Sequence, residues 1–168
     1  MKFVRENYEK AYDDFADAIF RYCCLRVSNR EKAKDIMQET FIKVWERMTA
    51  DGKSEILNIR AFLYKTAGHL IIDDYRKKKT ESLDRLQAAG FDVASGGHKA
   101  IETSAELRGA MELMSELDDK YREVFIMRFV DEMSPSEIAE TLGDSENNVS
   151  VKINRAAKKL REMLNHGK

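Results

Sequence analysis

Residues 134–164 read SPSEIAETLGDSENNVSVKINRAAKKLREML, and this stretch decides the fold of the C-terminal part of the chain. Ser134 is followed by a proline and, three residues on, by Glu137, which is the pattern of a capping box with proline at the first helical position. Gly143 suits the left-handed backbone conformation that ends many helices, and Ser145 is the next candidate cap. The stretch therefore predicts two helices joined by a tight turn.

The second of these helices has two different faces. Four apolar residues at helical spacing predict its buried side: Val149, Ile153, Ala156 and Leu160. The opposite side carries Val151, Asn154, Arg155 and Lys158. In a helix-turn-helix the second helix presents such side chains to the major groove of DNA. A helical hairpin with a basic, solvated face is the alternative, and the agreement of cap, turn and spacing favours DNA binding.

Apolar residues at spacings of three and four also run through the rest of the chain. In the first helix they are Tyr8, Tyr12, Phe15, Ile19 and Tyr22. This helix is predicted to end near residues 28–29, and a second helix to begin near Arg30. A third helix is predicted from about Ile59 to the basic run that ends at Lys79, and helical periodicity returns after residue 104. Residues 80–103 include three glycines and show no sustained helical period, which predicts a linker with, at most, a short helical piece at Leu83–Ala89.

The net charge of −1 hides an uneven distribution along the chain. Residues 1–79 hold 17 basic and 13 acidic side chains, a net of +4, whereas residues 105–168 hold 10 and 13, a net of −3. Within the latter, residues 145–164 carry five basic side chains against two acidic ones. A basic helix matters more for binding DNA than the charge of the whole chain does.

Several classes of protein find no support in the sequence. The apolar runs are too short to cross a membrane, and the N-terminus lacks the apolar stretch of a secretory signal, so a cytoplasmic protein is expected. The adjacent Cys23 and Cys24 exclude a disulfide framework and a cysteine-rich zinc site, and we expect both to be buried. We find no nucleophile–base pair and no phosphate-binding glycine loop. Glu31, Asp35 and Glu39 form a carboxylate stripe, but a single helix seldom holds a hard cation. The chain is therefore expected not to be an enzyme and to need no metal, cofactor or small-molecule substrate.

Two sets of motifs resemble the bacterial sigma factors of RNA polymerase. Those similar to sigma region four are Tyr121–Phe125, Ser136–Glu140, Val149 and Arg155–Ala156. Those similar to region two are Asp35–Phe41, Val44–Trp45, Arg60–Lys65 and Asp73–Arg76. Only these two regions are present, which is the layout of the extracytoplasmic-function (ECF) group.

The resemblance implies an all-α fold of two small helical domains joined by a flexible linker. Region two would span residues 1–79, the linker residues 80–104, and region four with its helix-turn-helix residues 105–168. The implied function is to direct the polymerase core to specific promoters and to help open the DNA. The implied partners are the core, through the clamp helices of its largest subunit, promoter DNA and an anti-sigma factor.

The resemblance also implies a role for individual residues. Those expected to bind the polymerase are Asp35, Gln38, Glu39 and Lys43. Those expected to melt the promoter and hold the minus-ten element are Asn58, Arg60, Tyr64, Lys65, His69 and Arg76, because cations hold phosphates and an aromatic ring stacks on a flipped base. Tyr64 is equally compatible with a place in the core. Those expected to bind the minus-thirty-five element are Ser150, Val151, Lys152, Asn154, Arg155, Lys158 and Lys159, with Asn154 and Arg155 at base edges and the lysines on phosphates.

One residue departs from the family pattern, and one other class of protein shares half of the motifs. Asp144 stands where relatives usually have an apolar residue, so the start of the recognition helix is less certain. A free-standing helix-turn-helix regulator would share the DNA-binding half, but it would not need the Asp35–Trp45 motif or the basic third helix.

Overall fold

The computed structural model describes residues 1–50, 55–87 and 104–167, which form seven α-helices and no strand. The helices are α1 (Lys2–Val27), α2 (Arg30–Thr49), α3 (Ile59–Gln87), α4 (Ala105–Ser115), α5 (Asp119–Phe125), α6 (Pro135–Leu142) and α7 (Glu146–His166). A π-helical turn, Ile126–Val130, continues α5. The predicted all-α fold is confirmed.

The boundary between α1 and α2 lies where the sequence predicts it. Helix α1 ends at Val27, and Ser28 takes the left-handed conformation with φ 53°. Asn29 then caps α2, because its side-chain oxygen accepts a hydrogen bond of 3.0 Å from the backbone N–H of Lys32. A polar cap of this kind satisfies one of the free N–H groups of a first helical turn.

The predicted end of the third helix is wrong. Helix α3 does not end at Lys79 but continues to Gln87, through the first part of the predicted linker. The physical reason is that residues 80–87 contain neither glycine nor proline and consist largely of good helix formers. The hydroxyl of Thr80 donates to the carbonyl of Arg76 at 3.1 Å, inside the continuing helix. The rest of the predicted linker, residues 88–103, lies outside the described residues.

Helices α1, α2 and α3 enclose an apolar core. Its members come from all three helices and include Ile19, Tyr22, Phe41, Val44, Leu63 and Ile71. Cys23 and Cys24 are also fully buried, with free thiols, as the sequence predicts. Burial raises the pKa of Cys23 to about 12 and that of Cys24 to about 11, so both thiols are protonated near neutral pH.

The predicted helix-turn-helix is confirmed in detail. Ser134 accepts a hydrogen bond from the backbone N–H of Glu137 at 3.1 Å, and the carboxylate of Glu137 accepts one from the N–H of Ser134 at 2.6 Å, which completes the capping box. Gly143 has φ 66°. Ser145 caps α7 by accepting from the N–H of Asn148 at 3.1 Å.

The N-terminal and C-terminal helices pack directly on each other. Helix α1 contacts α4 and α5, and α3 contacts α6. The buried apolar residues of both groups form one continuous cluster. The residues predicted to bind promoter DNA and polymerase are therefore distributed over a closed molecule.

Candidate nucleic-acid interface

Helix α7 has the exposed face that a recognition helix needs. Its four predicted core residues are buried, and the helix packs against α5 and α6. On the other side Val151, Asn154, Arg155 and Lys158 are exposed. This face can reach base edges and phosphates without any rearrangement of α7.

Of the three other predicted contact residues of α7, one is half-buried and two are paired with carboxylates of the chain. Ser150 is half-buried. The ammonium of Lys152 lies 2.7 Å from Oδ2 of Asp144. The ammonium of Lys159 lies 3.3 Å from Oδ2 of Asp118 and 4.7 Å from the ring centre of Tyr121.

Asp144 resolves the uncertain start of α7. Its Oδ1 accepts hydrogen bonds from the backbone N–H of Ser145 at 2.8 Å and from the side-chain amide of Asn148 at 3.1 Å. Its own N–H donates to the carbonyl of Ala139, which ties it to the end of α6. The hydrogen bond with Lys152, together with those from Asn148 and Ser145, lowers the pKa of Asp144 to about 2. Asp144 thus orders the turn between α6 and α7.

Helix α2 presents the predicted polymerase-binding residues together. Asp35, Gln38, Glu39 and Lys43 are all exposed on one side of the helix, because residues three and four apart on a helix share a face. Ile42 lies among them and is 56% exposed. The same side forms one wall of a groove of about 400 Å³ whose other wall belongs to α3 and includes Arg76. A mixed surface of charges around an exposed apolar side chain is suited to a protein partner.

Helix α3 divides its predicted minus-ten residues into two groups. Lys65, His69 and Arg76 are exposed and follow one another at spacings of four and seven, which places them on one side of the helix. Asn58 is also exposed, and its side chain caps α3 by accepting from the N–H of Ala61 at 3.0 Å. Part of this predicted surface is thus open to solvent.

The other group, Arg60 and Tyr64, lies under the C-terminal helices. Tyr64 is 1% exposed, and its ring centre lies 5.0 Å from that of Tyr22. Burial and the neighbouring carboxylate of Asp131 raise the pKa of the Tyr64 hydroxyl. Arg60 donates to the carbonyl of Asp131 at 2.5 Å and lies 3.9 Å from the carboxylate of Glu137. In this conformation the ring of Tyr64 cannot meet an unpaired base, whereas the Arg60 side chain is 33% exposed but is held by Asp131.

The backbone after α5 brings Asp131 into this contact. The π-helical turn closes with the N–H of Asp131 donating to the carbonyl of Ile126 at 3.0 Å, and Glu132 follows with φ 55°. Asp131 is 8% exposed, and its carboxylate also accepts from Arg21 of α1 at 3.4 Å. Burial raises the pKa of Asp131, although Tyr64 and the two arginines partly offset this effect.

Sequence reasoning missed Arg26, which is the centre of the contact between the two halves. Its side chain is fully buried and lies 2.7 Å from the carboxylate of Asp119 and 3.1 Å from that of Glu123. It also donates to the hydroxyl of Tyr22 at 2.8 Å. A signal was present, because Arg26 follows Ile19 and Tyr22 at the spacing of the buried face of α1. A charged residue on such a face indicates a charged partner.

A second set of hydrogen bonds closes the same contact at the end of α1. The carbonyl of Arg26 accepts from the hydroxyl of Tyr75 at 2.7 Å and from the guanidinium of Arg122 at 2.6 Å. Arg122 also donates to the carbonyl of Leu117 at 2.7 Å. The end of α1 is therefore tied both to α3 and to the C-terminal helices.

The described residues contain neither a metal-binding group nor a membrane-spanning helix. Among residues 1–50, 55–87 and 104–167, no group of three or more histidine, cysteine, aspartate or glutamate side chains is arranged to hold a metal ion. No described helix is long and apolar enough to cross a membrane.

Known families match both halves of the chain. The family model described as Sigma-70 region 2 matches residues 11–81, and that described as Sigma-70, region 4 matches residues 107–160. The chain is 30% identical to the ECF RNA polymerase sigma factor SigW of Bacillus subtilis, over 98% of this chain and 94% of SigW. It is 27% identical to SigM of the same organism, over 95% of this chain and 96% of SigM.

Solved structures share the fold. The sigma factor RpoE, solved in complex with the anti-sigma factor NepR from Bartonella quintana, has a TM-score of 0.75 at 21% identity, covering 95% of this chain and 98% of RpoE. CnrH, solved in complex with the cytosolic domain of CnrY, has a TM-score of 0.73 at 21% identity, covering 98% of this chain and 91% of CnrH.

Proposed function

This chain belongs to the ECF group of RNA polymerase sigma factors. We propose that three of its helices have separate roles in promoter-specific transcription initiation. The relatives are specificity factors and not enzymes in the catalytic sense. The observation that carries the proposal is the capped helix-turn-helix whose second helix, α7, leaves Arg155 and its neighbours exposed.

Helix α7 reads the minus-thirty-five element as duplex DNA. Arg155 and Asn154 lie on its exposed face and contact base edges, since arginine pairs with guanine and asparagine with adenine in the major groove. Val151 and Ser150 lie near them, and Lys152, Lys158 and Lys159 bind phosphates, which position the helix without reading sequence.

Helix α2 binds the polymerase core, and α3 acts on the minus-ten element. The exposed set on α2, from Asp35 to Lys43, docks on the clamp helices of the largest subunit. On α3, Lys65, His69 and Arg76 follow the backbone of the separated strand, and Asn58, Arg60 and Tyr64 act at its unpaired bases. Residues 1–79 and 105–168 serve as the two functional domains, joined through residues 80–104. An anti-sigma protein is the further partner that we propose.

The closed conformation must open before both promoter elements are bound. Elements named for positions minus ten and minus thirty-five lie roughly 25 base pairs apart, or about 85 Å at 3.4 Å per base pair. In the closed chain, Lys65 and His69 of α3 and Lys152 of α7 line one pocket of about 300 Å³. Surfaces that share a pocket cannot contact two sites that far apart, so binding of the core and promoter separates the halves.

Reconstitution with core polymerase on a promoter library, with transcript start sites sequenced, tests this function. We expect start sites downstream of a shared pair of elements, and permanganate reactivity of thymines near the downstream element. Changing Lys65 to Ala should reduce that reactivity and leave upstream protection unchanged. If the chain binds an intact operator as a dimer, without polymerase and without melting, it acts as a free-standing regulator and the proposal is wrong.

A further inference from the structure

The lysines that flank the exposed face of α7 are already paired with carboxylates of the same chain. Lys152 lies 2.7 Å from Asp144, and Lys159 lies 3.3 Å from Asp118. Among the described residues, Lys158 makes no ion pair within 4 Å. Two of the three lysines assigned to DNA phosphates are therefore already bound to a carboxylate of the chain.

We propose that Asp144 competes with a DNA phosphate for Lys152 and so restrains the affinity of α7 for duplex DNA. The proposal rests on the function proposed above, in which Lys152 binds a phosphate. A residue at the turn between α6 and α7 would then set how strongly the helix holds DNA of any sequence.

The geometry shows why Asp144 is the stronger of the two competitors. Three donors hold its carboxylate, and its side chain is only 21% exposed. Asp118 is 66% exposed and meets Lys159 at a longer distance. Water screens an ion pair more strongly when its partners are exposed. Breaking the Lys159–Asp118 pair when DNA binds therefore requires less free energy than breaking the Lys152–Asp144 pair.

Competition also predicts a distinctive response to salt. A lysine that neutralises one phosphate contributes about 0.9 to the slope of log Kd against log salt concentration. The slope arises because each phosphate bound by a lysine releases cations from the DNA. When Lys152 leaves Asp144 for a phosphate, the free carboxylate regains a cation from solution, which offsets part of this release. The pKa of Asp144, about 2, keeps the carboxylate ionised throughout the physiological range, so mild acid does not relieve the competition.

Asp144→Asn in the full chain is the test. The amide oxygen still accepts from Ser145 and Asn148, which preserves the turn, while the charge that holds Lys152 is removed. Binding to a fluorescent duplex of mixed sequence is followed by anisotropy at salt concentrations from roughly 50 to 200 mM. We expect binding about two- to fivefold tighter, the range for releasing one surface ion pair, and a slope steeper by up to about 0.9.

Three matched variants make the result specific. Asp13→Asn changes the net charge equally on an exposed position of α1 and should alter neither affinity nor slope by a comparable amount. Asp118→Asn should have a smaller effect than Asp144→Asn. In a Lys152→Ala background, Asp144→Asn should lose most of its effect. A melting temperature of the Asp144 variant no more than about 4 °C below that of the wild type, the cost of losing one surface ion pair, would show that the turn is intact.

The outcomes separate this inference from the function on which it rests. If Lys152→Ala weakens binding but Asp144→Asn leaves it unchanged or weakens it, Asp144 positions the lysine and the competition is wrong. If Lys152→Ala has no effect on affinity or slope, the lysine does not bind DNA, and its assigned role falls together with the inference.

Discussion

Helices α3 and α7 are both assigned to promoter DNA, yet their predicted contact residues lie in different surroundings. The exposed face of α7 carries Arg155, Asn154 and Lys158 in solvent, and Val151 is 39% exposed. On α3, Tyr64 is 1% exposed and Arg60 is bound to the backbone of Asp131. Helix α7 packs mainly against α5 and α6, whereas α3 packs against α1, α2 and α6.

The difference matches the two forms of DNA that we propose for the two helices. Duplex DNA offers its major groove to any protein that approaches, so a preformed and exposed α7 suits it. Unpaired bases appear only after melting. In the function proposed above, Tyr64 stays covered until the halves separate, so that α3 offers no open stacking ring before the polymerase is bound.

The largest expected effect comes from Arg26→Ala. This change should loosen the contact between the two halves, so that the covered residues of α3 become as open to solvent as those of α7. Loss of the guanidinium leaves the carboxylates of Asp119 and Glu123 without their cation. We expect the free energy of unfolding to fall by about 3 kcal/mol, the lower end for a broken buried ion pair, because Asp119 is 37% exposed. Urea denaturation gives the energy, and hydrogen exchange should show lost protection in α3 but not in α7.

Arg5→Ala is the matched control for this variant. Arg5 pairs with Glu9 at 2.8 Å, but both side chains are more than half exposed. Removal of such a pair should cost no more than about 0.5 kcal/mol. Equal costs for the two variants would contradict a central role for Arg26.

Arg155→Ala and Lys158→Ala test the two roles proposed for the exposed face of α7, base reading and phosphate binding. Arg155→Ala should relax the preference at one position of the upstream element by about 1–3 kcal/mol. Lys158→Ala should weaken binding about equally for all sequences and reduce the salt slope by about 0.9. Holoenzyme binding across a library of upstream elements measures both. A uniform loss with Arg155→Ala would show that this arginine does not read a base.

Helix α2, unlike α3 and α7, is proposed to bind a protein, the polymerase core. The double change of Gln38 and Glu39 to Ala should weaken core binding by about 1 kcal/mol, the threshold at which interface side chains matter. Stability should not change, because both side chains are exposed. Titration of labelled core gives the affinity, with Asp17→Ala on α1 as an exposed control. Unchanged affinity would remove these residues from the docking surface.

The smallest expected effect is a change in the pH dependence of stability. Because burial raises the pKa of Asp131, the folded chain holds a proton there more tightly than the unfolded chain does. Ionisation of this carboxyl therefore costs stability as the pH rises through its folded pKa. Asp131→Asn removes that titration, so its stability relative to wild type should rise from about pH 4 to about pH 7.

Urea denaturation of both proteins at several pH values measures this difference. The groups that face Asp131 are Arg21 of α1 and Arg60 and Tyr64 of α3. All three partly offset the effect of burial. A difference that stays constant with pH, or that falls as the pH rises, would show that the ion pair with Arg21 outweighs burial.

The sequence by itself determined the local structure and the assignment to the sigma factors. The caps at Ser134 and Ser145, the turn at Gly143 and the buried face of α7 follow from interactions within a few residues, which sequence spacing records directly. The end of α3 could not be placed as well, because a glycine-rich stretch further along the chain suggested a linker before the good helix formers at 80–87 had ended.

Only the tertiary structure decided which site residues are free. Arg26 meets Asp119 and Glu123, which are 93 and 97 residues further along the chain, and Asp131 meets Arg60 across 71 residues. Periodicity shows that a side chain faces inward, but it does not show which distant helix lies opposite. Tyr64 was compatible with both a DNA contact and the core, and the tertiary structure places it in the core, against Tyr22 of α1 and beside Asp131.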